Sequence, residues 1–309
     1  MTRRTIYSIP LRPVAGARFQ PTGFPDIGAA TFVRVSDAGQ EESLLVESVQ
    51  SMANHAESVT WDVAAQDQSS AFAGLPYVKV VRRDGTFLTS SRLEAHRLAS
   101  AYVMDGSLDG RSAEKALRER FGLAAGQPLD RGRFVKEVFA LDPLSLVHGV
   151  FFARKSWPWQ PKIARALSMF IEAYGVTEAH SGGVKTDSVN PSSTGPEASG
   201  SSKEGYGMVP HHRVEFTARE ILAHVVVDHD QLRSYGLPEE NRRVLEAIID
   251  MQLAALFAEG LRLRTACDLV VAGPVDGLPK LSDAERALRA AIDAAHLGEV
   301  TVVTAKDGK

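Results

Sequence analysis

Residues 77–89, YVKVVRRDGTFLT, decide the class of fold. A β-branched run is followed by Asp84 and Gly85 and then by a second short apolar run. An Asp-Gly pair between two such runs is the strongest local pattern for a β-hairpin, because glycine adopts the positive φ of the tight turn. The chain is therefore predicted to contain antiparallel strands that pair locally.

A helix is predicted directly after this hairpin. Ser90 or Ser91 is a suitable N-cap, and Glu94 follows Ser91 by three residues, as in a capping box. The first amides of such a helix would favour a phosphate group.

Patterns on the N-terminal side are weaker. Residues 1–28 are rich in Pro, Gly and Arg and are predicted to form an irregular arm. Alternation predicts a strand over residues 30–35, and apolar residues at helical spacing predict a helix over residues 47–58.

The middle of the chain is predicted to be mainly helical. Residues 105–141 are predicted to be a helical insertion, with helices over 113–121 and 131–139. Residues 146–152 suit a strand, whereas periodicity leaves residues 163–176 open between helix and strand.

Residues 181–210 are rich in Ser, Gly, Pro, Thr and Asn and hold almost no large apolar residue, so a long flexible loop is predicted there. The remaining patterns predict strands over 213–216, 221–227, 262–271 and 300–304, and helices over 239–257 and 282–295. Interleaved strands and helices with a local hairpin predict an α+β fold, with helices on one face of a largely antiparallel sheet.

Composition bounds the class of protein. With 44% hydrophobic and 24% charged residues, the 309-residue chain can bury a core. Cys267 is the single cysteine, which excludes a disulfide within the chain and suits a reducing compartment. Neither a secretory pattern nor an 18-residue apolar run is present, so we expect a cytoplasmic protein without a membrane partner.

Charge is unevenly distributed. The net charge of −3 argues against nucleic acid, but residues 77–165 contain 16 Lys and Arg against 9 Asp and Glu. A basic middle in an otherwise acidic chain suits a protein that binds a polyanion on one face.

Enzyme signatures are sparse. Fingerprints for nucleotide binding are absent, and we expect no cofactor. His224, Asp228, His229 and Asp230 form the one cluster suited to a metal-dependent phosphohydrolase or ribonuclease, since adjacent His and Asp side chains can ligate a common cation. A polar strand end that meets solvent explains the same residues.

Polar side chains on the predicted first helix favour nucleic-acid binding. Ser48 and Ser51 share one face, and Gln50 and Asn54 lie one turn apart on the adjacent face. Such groups supply many phosphate and ribose contacts. A plain polar helix surface remains the alternative.

Two further clusters combine cations with polar or aromatic groups. Arg92 and His96 are spaced one helical turn apart, with Arg97 following. Trp157 and its neighbour Trp159 are flanked by basic residues that include Lys155 and Lys162, and bases stack readily on such rings. The alternative for the tryptophans is a hydrophobic anchor of the loop. Lys185 lies in the glycine-containing part of the predicted flexible segment.

Three blocks together resemble the backbone protein of the CRISPR type I-G (formerly type I-U) Cascade complex, a member of the seventh Cas family within the RAMP superfamily. They are LVESVQSMAN at 45–54, LTSSRLEAHR at 88–97 and DPLSLVHGVFF at 142–152. The similarity extends over roughly residues 43–187.

This resemblance implies a single domain over residues 1–309 with an RRM-like (ferredoxin-like) core and a thumb-like insertion at 181–210. It implies that Ser48, Gln50 and Ser51 touch the RNA backbone, whereas Ala53, Asn54 and His55 stand where relatives carry Lys or Arg. Phosphate charge would then be met by Arg92, Arg97, Lys155 and Lys162.

The resemblance also implies a set of partners and no active site. Copies of the chain would polymerise as a helical filament along the spacer of a crRNA and support recognition of a target DNA strand. The large subunit and a guide-end capping subunit of Cascade would join them, and a recruited helicase-nuclease would carry out cleavage.

Overall fold

The computed structural model describes residues 2–24, 28–37, 39–185, 187–189, 209–258 and 260–306. Within these ranges the strands are β1 (Arg4–Pro13), β2 (Gly23–Phe24), β3 (Gly28–Ser36), β4 (Gly39–Glu47), β5 (Trp61–Asp62), β6 (Asp67–Gln68), β7 (Val78–Val81), β8 (Phe87–Ser90), β9 (Ser107–Leu108), β10 (Arg111–Ser112), β11 (Val150–Phe151), β12 (Lys162–Ile163), β13 (Leu167–Lys185), β14 (Val209–Asp228), β15 (Leu261–Arg264), β16 (Cys267–Val271) and β17 (Thr301–Thr304). The α-helices are α1 (Val49–Ser58), α2 (Ala101–Met104), α3 (Ala113–Arg120), α4 (Arg131–Leu141), α5 (Leu144–His148), α6 (His229–Ser234), α7 (Glu239–Ala258) and α8 (Leu281–Ala294).

The larger sheet has the strand order β15-β16-β1-β14-β13-β4-β3-β2. Its centre is built from β1, β13, β14 and β16, whose neighbours pair antiparallel. Helix α1 lies between β1 and β13 in the chain, and α7 lies between β14 and β16. Numbered along the chain, these four strands stand in the order 4-1-3-2, which is the ferredoxin-like arrangement of an RRM. The predicted α+β fold with an RRM-like core is confirmed.

Helices α1 and α7 cover one face of this sheet. Met52 and Ala56 of α1 are fully buried in the same core as Ile171 of β13 and Ala223 of β14. Each large aliphatic side chain so buried contributes about 1.5–3 kcal/mol. The apolar spacing that predicted α1 therefore marks its sheet-facing side.

The prediction of an irregular N-terminal arm is wrong, because β1 is a central strand. Ile9 and Leu11 are buried in the core, and β1 pairs with β14 on one side and β16 on the other. The carbonyl of Pro10 accepts a hydrogen bond from Ala272 N (2.8 Å), just beyond the end of β16.

A second, smaller sheet with the order β10-β9-β17-β7-β8 contains the hairpin predicted from residues 77–89. Gly85 takes a positive φ of 83° in its turn. Strand β17 pairs parallel with β7, so the C-terminal strand completes this sheet. Helices α3 and α4 follow β10 in the chain, and β13 later returns the chain to the larger sheet.

No regular helix begins at Ser90 or Ser91, so that prediction is wrong. Ser91 accepts a bond from Val78 N at its hydroxyl (3.2 Å), which ties the residue to β7. Arg97 then adopts a left-handed φ of 51°, which a right-handed helix excludes. The strand predicted over residues 146–152 is also wrong in its first half, where α5 lies.

Strands β13 and β14 extend into the two ends of the segment predicted as a loop, over residues 181–185 and 209–210. They pair continuously from Leu167 opposite Val227 to Lys185 opposite Val209. Because β4 pairs with β13 over residues 171–174 and β1 pairs with β14 over residues 221–228, the distal halves form a two-stranded ribbon. Most of the predicted loop, residues 190–208, lies outside the described residues.

The predicted helices at 47–58, 113–121, 131–139, 239–257 and 282–295 are confirmed to within three residues at each end. Residues 163–176, for which periodicity left helix and strand open, lie mainly in strands. Among the described helices, none is long and apolar enough to cross a membrane.

Candidate functional site

An open cleft of about 440 Å³ lies between the β11–β12 hairpin and the turn at residues 95–97. Its walls come from segments that are far apart in the sequence. Three predicted contact residues, His96, Arg97 and Lys162, line it, together with Arg165, which the sequence reasoning missed. The cleft therefore brings basic side chains from distant parts of the sequence together.

Arg165 connects the cleft to the first helix. Its guanidinium donates to the carbonyl of Val49 (3.1 Å) and to Oε1 of Gln50 (3.2 Å). Gln50 in turn donates from Nε2 to Oδ1 of Asn54 (3.3 Å), and both amide side chains are exposed. The polar face of α1 thus borders the cleft.

Ser48 and Ser51 shape the start of α1. The Ser48 hydroxyl accepts a hydrogen bond from Ser51 N (3.3 Å), so Ser48 is the N-cap of the helix. Both serines are half-buried. Their predicted contact with a nucleic-acid backbone stays a prediction.

Lys162 and Arg165 are the cleft cations that lie outside the ion pair of Arg97 with Glu57. Among the described residues, neither side chain pairs with a carboxylate. Burial, and then the neighbouring Arg97, lowers the pKa of Arg165, whereas the charge of Glu57 acts in the opposite direction, and the guanidinium remains charged at neutral pH. The cleft therefore presents two cations without a carboxylate ion-pair partner among the described residues, and Arg165 is held at the cleft by its hydrogen bonds to α1.

His148 lies at the floor of the cleft as a neutral imidazole. Burial, and then the charge of Arg97, lowers its pKa to about 3. Its Nε2 lies 3.1 Å from Oε1 of Gln252, which fixes the proton on Nε2, and Gln252 donates to the carbonyl of Ala56 (2.9 Å). Nδ1 is then an acceptor, and the described residues offer it no partner.

Arg97 is not the phosphate contact that the sequence predicted. Its side chain is 8% exposed and holds Glu57 through two hydrogen bonds, Nε to Oε1 (2.5 Å) and Nη2 to Oε2 (2.8 Å). Nη1 donates to the carbonyl of Gly149 (2.9 Å). Burial raises the pKa of Glu57, whereas this guanidinium acts in the opposite direction. Arg97 is a buried positioning residue that fixes α1 against the cleft wall.

Arg92 is likewise not available for the predicted phosphate contact, because its side chain is fully buried. It lies 3.8 Å from the carboxylate of Asp142, donates to the carbonyl of Pro76 (3.3 Å) and stands over the ring of Tyr77. Desolvation lowers the pKa of Arg92 and raises the pKa of Asp142. The pair joins the second and third sequence blocks inside the core.

Trp157 is a hydrophobic anchor and is not available for base stacking. The side chain is 5% exposed, and its ring stacks on Phe152 with a centroid distance of 5.5 Å. Its Nε1 donates to Oε1 of Glu114 (3.1 Å). The alternative of a loop anchor is therefore correct for this residue.

The remaining predicted contacts are exposed but dispersed. His96 is exposed in the cleft, and Lys155 is exposed in the loop after β11. Lys185 is exposed at the far end of β13, 18 residues beyond Leu167, or roughly 60 Å along an extended strand. Lys185 therefore does not belong to the cleft.

The four residues of the rival metal site each have other partners. His224 Nε2 bonds the hydroxyl of Tyr174 (2.9 Å), and Asp228 caps α6. His229 bonds the hydroxyl of Thr5 (2.9 Å), and Asp230 pairs with two arginines, Arg3 and Arg233. No group of three or more metal-binding side chains comes together in the described part of the chain. The geometry gives no support to a phosphohydrolase.

The cleft residues that sequence reasoning missed are Arg165 and Phe151. Arg165 belongs to the basic middle of the chain and lies inside the 163–176 range that periodicity leaves open, two residues before β13. Phe151 stands between two buried residues, Val150 and Phe152, and is itself 46% exposed. That alternation was visible in the sequence.

Comparison with known proteins identifies the family. The model of the CRISPR-associated protein GSU0053 family matches residues 6–178, which contain the whole cleft. The chain belongs to this family. No curated protein matches the chain significantly.

Two solved structures are distantly similar. One is described as "CRISPR RNA-guided surveillance complex, pre-nicking", with 12% identity, a TM-score of 0.37 and coverage of 81% of this chain and 68% of that one. The other is the crystal structure of Thermofilum pendens Csc2, with 12% identity, a TM-score of 0.33 and coverage of 96% of this chain and 73% of that one.

Proposed function

We propose that this CRISPR-associated protein is a guide-RNA-binding backbone subunit of a type I-G Cascade antiviral complex. The observation that carries the proposal is the open cleft, in which Lys162 and Arg165 have no carboxylate partner among the described residues and border the polar face of α1. Phosphate groups are the anions that such a surface fits best.

In this proposal the cleft tracks the RNA backbone without reading its sequence. Lys162 and Arg165 meet phosphates, while the amides of Gln50 and Asn54 reach ribose or phosphate oxygens, together with Ser48 and Ser51. His96 and Lys155 extend the basic edge. Guide spacers vary, so contacts to the backbone suit a subunit that serves all of them.

The proposal includes an assembly. The chain is one RAMP domain over residues 1–309 with insertions at 105–141 and 181–210, and copies polymerise along the crRNA spacer. The β13–β14 ribbon, which carries Lys185, is the thumb-like element. The assembly supports recognition of a target DNA strand with the large and capping subunits, while catalysis belongs to a recruited helicase-nuclease.

The test measures binding of a single-stranded RNA 12-mer against salt concentration. For single strands, each neutralised phosphate contributes about 0.7 to the slope of log affinity against log salt. K162Q and R165Q should each lower the slope by about that amount; K162Q should leave the melting temperature unchanged, whereas R165Q should also lower it, because the substitution removes two hydrogen bonds to α1. R286Q is the matched control, because Arg286 is 77% exposed on α8 and pairs with Asp283 there.

Equal slopes for all three variants would contradict the assignment of the cleft. A second measurement uses the protein purified from cells that express the CRISPR array. We expect an absorbance ratio that shows bound RNA and a multi-copy particle, and a nucleic-acid-free monomer would overturn the backbone role.

A further inference from the structure

The cleft contains an exposed aromatic ring beside its cations. Phe151 lies on β11 and is 46% exposed, while Val150 and Phe152 on either side of it are buried. Strand alternation therefore directs Phe151 to the face opposite its neighbours, and the ring lines the cleft. The Phe151 ring is not part of the buried core.

A cation stands next to that ring. Lys162 is the cross-strand partner of Phe151, and its Nζ lies 5.9 Å from the ring centroid, near the outer limit of a cation–π contact. The contact is weak, so the ammonium group can turn to an anion. Arg165 and His96 line the same cleft and supply further positive charge or hydrogen-bond donors.

A ligand that uses all of these groups carries both an aromatic face and a phosphate. An inorganic anion would leave the ring unused, and an apolar peptide would leave the cations unpaired. We propose that Phe151 is a stacking platform for one nucleobase of a single-stranded nucleic acid, whose adjacent phosphates lie on Lys162 and Arg165. The inference rests on the proposed function and adds a base-binding subsite to it.

Stacking on an aromatic ring is tolerant of sequence, because every base has a π-face. Such a subsite therefore suits a variable strand. It fixes where one base lies relative to the cleft without selecting which base it is.

The test compares two probes of equal charge, a fluorescein-labelled oligoadenylate 12-mer and the same 12-mer with abasic ribose at every position. F151A should weaken binding of oligoadenylate by roughly five- to 150-fold and leave the abasic probe unaffected. F151W should restore binding. The salt slope should stay as in wild type, because no phosphate contact is lost.

F32A is the matched control, since Phe32 is an aromatic residue 36% exposed on β3, outside the cleft. Should F151A not fold, quenching of a 2-aminopurine oligonucleotide by the wild-type protein replaces it, and absence of quenching would overturn the subsite. If F151A binds oligoadenylate as tightly as wild type while K162Q still lowers the slope, the subsite is wrong and the proposed function stands. If the wild-type protein binds neither probe, both are wrong.

Discussion

Replacing Arg97 by alanine separates a structural role from direct contact with nucleic acid. The substitution removes both hydrogen bonds to Glu57 and the bond to the carbonyl of Gly149. Glu57 is left without this partner in a site where its side chain is 10% exposed. The unpaired carboxylate, rather than the lost contact, dominates the cost.

We expect R97A to lower the free energy of unfolding by about 3–5 kcal/mol, as found when one member of a buried ion pair is removed. Burial already raises the pKa of Glu57, and loss of the guanidinium raises it further. In the variant, therefore, the cost is fully present above this raised pKa. The cost decreases as the pH falls through the raised pKa of Glu57, because protonation removes the buried charge.

The assay is urea unfolding followed by tryptophan fluorescence at pH 7 and pH 5. R111A is the control, because Arg111 and Glu119 form an ion pair that is 69% exposed at both residues, worth less than about 1 kcal/mol. R97A should also keep the wild-type salt slope for RNA. A loss below 1 kcal/mol together with a reduced slope would show that Arg97 contacts phosphate after all.

Two further predictions concern the floor of the cleft. Because the pKa of His148 falls to about 3 on folding from its ordinary 6.5, the contribution of this residue to wild-type stability is fully present above pH 6.5. It should decline by up to about 1.4 kcal/mol per unit between pH 6.5 and 3, whereas H148Q should lose that part of the slope in urea titrations, and parallel curves would contradict the assignment. G149A should cost about 1–3 kcal/mol in thermal melts, since its Cβ would stand 2.8 Å from the carbonyl of Ile163 at a φ of 84°. G126A, with a φ of 73° and open space around it, should cost less, and equal losses would exclude the contact as the cause.

Elements with a strong local pattern could be predicted from the sequence. The first helix has its N-cap at Ser48 and a buried stripe at helical spacing, so its start and type follow from a short window. The Asp-Gly turn at residues 84–85 likewise determines its hairpin. The ferredoxin-like order came from the resemblance, and the pairing of β1, β13, β14 and β16 bears it out.

Features that depend on distant partners could not be predicted. Strand β1 carries prolines and pairs with residues more than 200 positions away, so no local window marks it as central. Arg92 and Arg97 lie in a basic, hydrophilic stretch that indicates a surface. Their burial depends on Asp142 and Glu57, each 40 residues or more away in the chain.

The buried arginine still acts on the cleft without touching a ligand. Arg97 turns Nε and Nη2 to Glu57 and Nη1 to the cleft-lining residue Gly149. After burial, its charge is the largest influence that lowers the pKa of both His148 and Arg165. Positive potential from Arg97 therefore acts on His148, whereas at Arg165 the charge of Glu57 opposes it. Loss of Arg97 should weaken anion binding through the position of the wall and through this potential, and neither effect removes a phosphate contact from the salt slope.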